Sequence, residues 1–134
     1  MAGADIIQTN TYGANATKLK AYGFEERVEE INQAGAKLAR EVAGSDVYVG
    51  GSVGPLEIDP LQDKLSAKAI RQMFKEQMDA LADDGVDLLI LETFVEPQQT
   101  EIATKQALTY GLPVIAQISG ISGGKASGRL HNFA

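Results

Sequence analysis

The fold is decided by one stretch of the chain, which reads Gly85-Val86-Asp87-Leu88-Leu89-Ile90-Leu91-Glu92-Thr93-Phe94. Its apolar run is too short to span a membrane and suits a buried parallel strand flanked by helices. The run ends on a carboxylate, Glu92, and Pro97 then marks the start of a helix. Because α/β proteins bind their ligands at the carboxyl ends of parallel strands, Glu92 is the first candidate for a functional residue.

A second copy of this phrase lies near the start of the chain, in Gly3-Ala4-Asp5-Ile6-Ile7-Gln8-Thr9-Asn10-Thr11-Tyr12. The two copies align without a gap, and Asn10 stands at the place of Glu92. Both copies contain a glycine, an aspartate and a strand with a polar tip. This repetition predicts repeated βα units. Convergence of two ordinary βα turns is the alternative explanation.

The rest of the chain continues this alternation of strands and helices. We expect four parallel strands in sequential order, near Ile6, Val49, Leu89 and Ile115. Helices are predicted over residues 17–22, 25–43, 66–83 and 97–110.

The helix predicted over residues 25–43 has the clearest periodicity. Its core face is expected to consist of residues at helical spacing, namely Val28, Ile31, Gly35, Leu38 and Val42. Gly44 is expected to end the helix. In the helix predicted over residues 66–83, Met73 and Phe74 are expected to serve the core and not a cofactor.

The composition limits the classes of function. With 134 residues the chain has about the length of one domain. Its 12 basic and 18 acidic residues give a net charge of −6, which argues against nucleic acid or an anionic membrane as the main partner. The absence of cysteine excludes disulfides and a cysteine-bound metal within these residues. No export signal is visible at the N-terminus, so we expect a cytoplasmic protein.

Polar residues follow the predicted strands at the ends where ligands bind. Consecutive parallel βα units place these ends on one rim, and we expect that rim to carry Thr9, Asn10, Ser52 and Glu92. Glu92 could hold an ammonium group or act as a general base, or it could be a structural carboxylate that caps the rim. Thr9 and Asn10 could bind a carboxylate or an amide, or they could serve only the turn.

No motif in the chain specifies a reaction by itself. Gly124-Lys125 lacks the surrounding residues of a phosphate-binding loop, and a single histidine, His131, makes neither a metal site nor a catalytic triad. We therefore assign no catalytic residue and no metal ligand. Gly50 and Gly51 fit either a closely approaching ligand or a tight bend of the sheet.

Several motifs together resemble the homocysteine S-methyltransferase family. This family includes betaine–homocysteine methyltransferase, the homocysteine modules of methionine synthases and bacterial fusions with methylenetetrahydrofolate reductase. The resemblance covers about residues 2–119. In order and spacing it is carried by residues 3–15, Glu30-Ile31-Asn32, Leu38-Ala39-Arg40-Glu41, Gly50-Gly51-Ser52-Val53-Gly54-Pro55 and Leu91-Glu92-Thr93-Phe94.

The resemblance implies an α/β fold, a (βα)8 TIM barrel of about 250 residues, of which this chain supplies about strands 2 to 5 with their helices. It implies that zinc binds the homocysteine sulfur as a thiolate, which attacks a methyl donor to give methionine. By position, Glu92 resembles the carboxylate that receives the homocysteine amino group. Thr9 and Asn10 resemble rim residues close to the substrate. Ser52 lies on the strand tip between these two residues and Glu92. These residues do not indicate which methyl donor is used.

One departure from the family affects the expected activity. The family binds zinc through three cysteines, and this chain has none. We therefore expect residues 1–118 to be a partial homocysteine S-methyltransferase-like domain that is inactive alone, followed by a flexible glycine- and serine-rich tail at residues 119–134. The alternative is a non-catalytic α/β binding or assembly module, in which open sheet edges would recruit a second copy to form a homo-oligomer.

Overall fold

A computed structural model describes residues 3–59 and 63–120 of the chain. These residues form one sheet in which the strands follow one another in sequence order and all neighbours are parallel. The strands are β1 (Ile6–Gln8), β2 (Tyr48–Val53), β3 (Leu88–Phe94) and β4 (Val114–Ile118). The prediction of sequential parallel strands is confirmed.

Every connection between consecutive strands contains helical structure. The helices are α1 (Ala16–Leu19), α2 (Val28–Ala43), α3 (Ala67–Asp83) and α4 (Pro97–Ala107), with short 3-10 turns at Lys20–Tyr22, Glu25–Arg27 and Leu108–Tyr110. The side chains of Asn15 and Ser66 accept hydrogen bonds from the backbone N–H groups of Lys18 and Ala69, and so cap α1 and α3. Within residues 3–59 and 63–120, no helix combines the length and apolar character that crossing a membrane requires.

The core lies between one face of the sheet and the helices. Its strand residues alternate along β2 and β3, as pleating requires, and its helix residues come from α2, α3 and α4. Phe74 is fully buried and Met73 packs against the core, which confirms that both residues serve it. The intervening strand residues, such as Gly50 and Ile90, lie on the opposite face. We call this opposite face the open face of the sheet.

Helix α2 buries only part of the face that its sequence predicts. Leu38 and Val42, which the periodicity assigned to the core, are 64% and 82% exposed. The buried residues of α2 are Val28, Asn32, Ala36, Ala39 and Ala43. Val28 is buried as predicted, whereas the prediction was wrong for Leu38 and Val42 because the periodicity gave most weight to large apolar residues. The closely packed side of α2 instead carries mainly alanines, which let the helix approach its neighbours.

At the amino ends of the strands, Asp87 joins three elements. Its Oδ2 accepts hydrogen bonds from the backbone N–H of Val49 at 2.7 Å and from Nη2 of Arg40 at 2.5 Å. Arg40 Nη2 also donates to the carbonyl of Gly85 at 2.9 Å. The Val49 N–H, with the Arg40 guanidinium beside it, holds the pKa of Asp87 below its usual range. These bonds tie α2 to the beginnings of β2 and β3.

Candidate functional site

Ser52 and Glu92 meet near the carboxyl ends of β2 and β3. Ser52 Oγ donates a hydrogen bond to Glu92 Oε1 at 2.5 Å. Because Leu89 and Leu91 belong to the core, the alternate residues of β3, including Glu92, lie on the open face. Ser52 is buried whereas Glu92 is partly exposed. The open face therefore carries a carboxylate that solvent or a ligand can reach.

Gly50 and Gly51 leave space for side chains of β3. A Cβ on Gly50 would lie 2.5 Å from Cδ1 of Ile90, on the open face. A Cβ on Gly51 would lie 3.2 Å from Cδ2 of Leu89, on the core face. From the sequence, either a closely approaching ligand or a tight bend could explain these glycines. The structure shows that side chains of β3 fill the space that a Cβ at either position would occupy.

A bulge turns the end of β3. The pairing of β3 with β4 shifts register between Leu91 and Phe94, and Thr93 has a φ of 63°. This left-handed conformation is unusual for a β-branched residue, and backbone strain of this kind concentrates at functional sites. Regular alternation would place Phe94 on the same face as Glu92, and the bulge returns it to the core, where its ring centroid lies 5.8 Å from that of Phe74.

Two threonine hydroxyls enclose the backbone of Ser52. The N–H of Ser52 donates to Thr9 Oγ1 at 2.9 Å, and Thr11 Oγ1 donates to the Ser52 carbonyl at 2.7 Å. The two threonine oxygens are 2.6 Å apart. All three residues are at most 3% exposed, so water does not compete for these bonds. We call Thr9, Thr11 and Ser52 the hydroxyl ring, and it fixes the peptide that carries the Ser52 side chain.

Two buried side-chain amides hold the loop that follows β1. Gln77 Nε2 donates to the Thr11 carbonyl at 2.7 Å and to Asn32 Oδ1 at 3.2 Å. Asn32 Nδ2 donates to the carbonyls of Ala14 and Val28, both at 2.7 Å. Neither amide side chain is exposed. We call Asn32 and Gln77 the amide clamp, and it links α2 and α3 to the loop after β1.

The structure connects three of the four residues that the sequence placed on the rim. Thr9, Ser52 and Glu92 form one continuous set of hydrogen bonds. Asn10, at the tip of β1, is exposed to solvent. The rim therefore combines a buried, bonded part and a part that faces solvent.

Sequence reasoning missed Thr11 and the amide clamp. Thr11 is not among the rim residues that the sequence predicts, although its hydroxyl and its carbonyl are both bonded. Asn32 carries a usable signal, because a polar residue on the buried face of an amphipathic helix requires a hydrogen-bond partner. That signal could be read only after the buried face of α2 was known.

The second carboxylate oxygen of Glu92 is available to a ligand. In the part of the chain that the structure describes, Oε1 accepts from Ser52, Oε2 has no hydrogen bond and the residue has no ion pair. A carboxylate with one oxygen held and the other free is a preorganised acceptor for a cation such as an ammonium group. It could also accept a proton as a general base.

The side chains that the structure describes do not make a zinc site. Residues 3–59 and 63–120 contain no group of three or more His, Cys, Asp or Glu side chains that could hold one metal ion. The chain has no cysteine, and its single histidine, His131, lies outside the described residues. The donor set therefore does not match the cysteine-bound zinc that the resemblance implies.

An acidic groove lies on the helices, apart from the rim. Its lining includes Glu29 of α2 with Glu76 and Asp79 of α3. Burial, together with the charges of Glu26 and Glu29, raises the pKa of Glu76. Because the helices cover the core face of the sheet, this groove does not communicate with Glu92 on the open face.

The sequence profile of a known protein family matches this chain. The family is described as homocysteine S-methyltransferase, and the match covers residues 1–129. It continues past Ser119, where the motifs had placed the end of the resemblance.

Individual relatives are similar over most of this chain. Methionine synthase from Mycobacterium tuberculosis is 32% identical over 130 residues, which is 88% of this chain and 11% of that protein. Betaine–homocysteine S-methyltransferase 1 from Danio rerio is 33% identical over 120 residues, which is 87% of this chain and 30% of that protein. The chain thus spans less than a third of the length of either relative.

Solved structures are similar as well. The homocysteine methyltransferase MmuM from Escherichia coli in its metallated form has a TM-score of 0.68 at 25% identity, covering 84% of this chain and 45% of that one. The oxidised form of the same protein has a TM-score of 0.69 at 26% identity, and the match covers 88% of this chain and 46% of that one. The sequential parallel sheet and these matches confirm the predicted fold class, α/β with a partial (βα)8 TIM barrel.

Proposed function

The chain belongs to the homocysteine S-methyltransferase family, and on this premise we propose that it supplies part of the homocysteine-binding rim of a methyltransferase domain. In that domain a methyl group from a donor is transferred to the sulfur of homocysteine to give methionine. Within the rim, Glu92 receives the amino group of homocysteine. The proposal concerns how the substrate is held, because residues 3–59 and 63–120 contain no group of three or more His, Cys, Asp or Glu side chains that could hold a zinc ion.

The observation that supports this role most strongly is the asymmetric carboxylate of Glu92. Ser52 holds Oε1, while Oε2 has no partner within the described residues. The ammonium group of an amino acid supplies the charge and the hydrogen-bond donors that such an oxygen lacks. At a partly exposed position this interaction contributes about 1–2 kcal/mol to binding.

The neighbouring residues have different roles in the proposal. Ser52 orients the carboxylate, and Thr9 acts through the backbone of Ser52 without contacting the substrate. Asn10 is exposed at the same end of the sheet, where its side-chain amide can donate to the substrate carboxylate. The amino and carboxylate groups of one substrate would thus be bound by the tips of β3 and β1, which lie on either side of β2.

A titration of the 134-residue chain tests the role of Glu92. The isotope-labelled protein is titrated with reduced L-homocysteine while backbone amide shifts are followed by NMR, a method suited to a dissociation constant of about 1 mM or weaker. We expect shifts near Ser52 and Glu92, and a dissociation constant that rises about tenfold in Glu92→Gln, corresponding to about 1.4 kcal/mol.

The matched control for this titration is Glu96→Gln. Glu96 is an exposed carboxylate just beyond the end of β3, and its substitution changes the net charge by the same amount. The control should bind homocysteine as the wild type does. Equal affinities for the wild type and Glu92→Gln would remove Glu92 from the substrate site.

We also propose that the 134-residue chain does not transfer a methyl group by itself. The support is chemical, because cysteine is absent and one histidine alone cannot provide a zinc coordination shell. After incubation with zinc and dialysis, metal analysis should find no stoichiometric zinc, and homocysteine supplied with betaine should not be methylated. One tightly bound zinc per chain would contradict this proposal.

A further inference from the structure

We propose that Thr11 is a positioning residue, which orients Glu92 through Ser52 and is itself held by the amide clamp. This inference rests on the proposed function, in which Glu92 receives the substrate amino group. It extends the binding site from the rim to helices α2 and α3.

The direction of each hydrogen bond in the hydroxyl ring follows from the number of protons available. Thr11 has a single hydroxyl proton, which it donates to the Ser52 carbonyl. In the 2.6 Å contact between the threonines, Thr9 must therefore be the donor. The oxygen of Thr9 also accepts the N–H of Ser52. The hydrogen bonds of the ring are thus closed. The N–H and the C=O of Ser52 both take part in it.

The closed ring leaves the Ser52 hydroxyl free to serve Glu92. Because Ser52 N–H and C=O are both bonded within the ring, its side chain projects from a fixed backbone. Its hydroxyl proton is donated to Glu92 Oε1. Removing the Thr11 hydroxyl would release the Ser52 carbonyl and allow the serine, and with it the glutamate, to adopt other orientations.

The amide clamp fixes the backbone of Thr11. Both protons of Gln77 Nε2 are used, one on the Thr11 carbonyl and one on Asn32 Oδ1. A flipped Gln77 would place its oxygen against two other acceptor oxygens, so only the observed orientation is compatible with its surroundings. The protons of Asn32 Nδ2 are used on the carbonyls of Ala14 and Val28.

Helix α2 also restrains the side chain of Thr11. A Cβ built on Gly35 would lie 2.6 Å from Cγ2 of Thr11, which places the threonine methyl directly over this glycine. The methyl and the hydroxyl of Thr11 therefore have separate contacts, with α2 and with Ser52. This separation lets substitutions distinguish the hydroxyl from the shape of the side chain.

The test compares Thr11→Val, which keeps the shape, with Thr11→Ser, which keeps the hydroxyl. In the homocysteine titration, Thr11→Val should raise the dissociation constant about five- to tenfold, as expected for the loss of a buried hydrogen bond. Thr11→Ser should stay within about twofold of the wild type. Thr104→Val makes the same chemical change on α4 and should leave affinity unchanged.

A second background shows whether Thr11 acts through Glu92. In Glu92→Gln, adding Thr11→Val should weaken binding little further, because the interaction that Thr11 positions is already lost. If Thr11→Val does not fold, Thr9→Val opens the same ring from its other side and should weaken binding similarly. Thr11→Val with wild-type affinity, or equal losses in Thr11→Val and Thr11→Ser, would overturn the inference.

Failure of the proposed function gives a different result. If Glu92→Gln weakens binding and Thr11→Val does not, the role of Glu92 stands and the positioning role of Thr11 is refuted. If the wild type does not bind homocysteine, the proposed function fails and the inference fails with it.

Discussion

Asp87 shows how a single residue can hold the amino ends of two strands. Its carboxylate accepts from Val49 and Arg40, and it is about one third exposed. Asp87→Asn keeps the shape but removes the charge. Discounted for this exposure, the loss should lower the free energy of unfolding by about 1–2 kcal/mol in urea denaturation at pH 7.

The lowered pKa of Asp87 predicts the pH dependence of this difference. A carboxyl group with a depressed pKa in the folded state stabilises the protein fully above its unfolded pKa of about 3.9. The stabilisation is lost as the pH falls through the folded value. The difference in the free energy of unfolding between the wild type and Asp87→Asn should therefore become smaller below about pH 4. Asp46→Asn, at an exposed position, is the control. A difference in the free energy of unfolding that does not change with pH, or that Asp46→Asn shows as well, would contradict the role of Asp87.

Single residues differ in how much of their role the sequence reveals. Glu92 could be singled out as a candidate because a carboxylate at the end of an apolar run is visible within one strand. Thr11 could not, because its partner Ser52 lies 41 positions further along the chain. The hydroxyl ring becomes visible only when β1 and β2 are paired in the correct register.

At the level of elements, α2 approaches the loop after β1 through Gly35. Alanine is usually about 1 kcal/mol more favourable than glycine within a helix. Here the added methyl would press on Thr11, and overpacking of this kind costs about 1–3 kcal/mol. Gly35→Ala should therefore leave stability unchanged or lower it by up to about 2 kcal/mol.

A double variant separates these two effects. Thr11→Ser removes the methyl that Gly35→Ala would meet, so the two changes together should be about 1–2 kcal/mol more stable than the sum of the single changes predicts. Urea denaturation of the four proteins measures this coupling. If the change in the free energy of unfolding of the double variant equals the sum of the two single changes to within about 0.5 kcal/mol, the two residues do not press on each other.

Elements were predicted well where propensity and periodicity agreed. The strands and the helix ends at Gly23, Gly44 and Gly111 follow from composition and from glycines that adopt a positive φ. The buried face of α2 did not follow, because alanines give a weak hydrophobic signal although they permit the closest packing. The bulge at Thr93 was also missed, since threonine does not usually adopt its conformation.

In the whole molecule, the described helices α2, α3 and α4 pack on one face of the sheet, and the exposed apolar side chains of the sheet include two at its edges. Ile6 on β1 and Ile115 on β4 are 42% and 40% exposed, and these two strands form the edges of the described sheet. Association of two copies through such edges stays a prediction. Light scattering of the 134-residue chain checks it, with a dimer expected and a stable monomer as the contrary result.

The architecture could be predicted because the repeated strand phrase specifies the same βα unit twice. Parallel strands in sequence order then bring Ser52 and Glu92 to one end of the sheet without further information. The packing of helices behind that rim depends on contacts between distant residues, such as Gln77 with Thr11. Local pattern does not encode such contacts, and the amide clamp was therefore found only in the structure.

Recognition of the homocysteine amino group by Glu92 is the step on which the proposed function rests. Its most direct test is to compare, by NMR titration of the wild-type chain, homocysteine with 4-mercaptobutanoate, which keeps the thiol and the carboxylate but lacks the amino group. Homocysteine should bind about tenfold more tightly, as expected for one partly exposed ammonium–carboxylate interaction. Equal affinity for the two ligands would contradict the account.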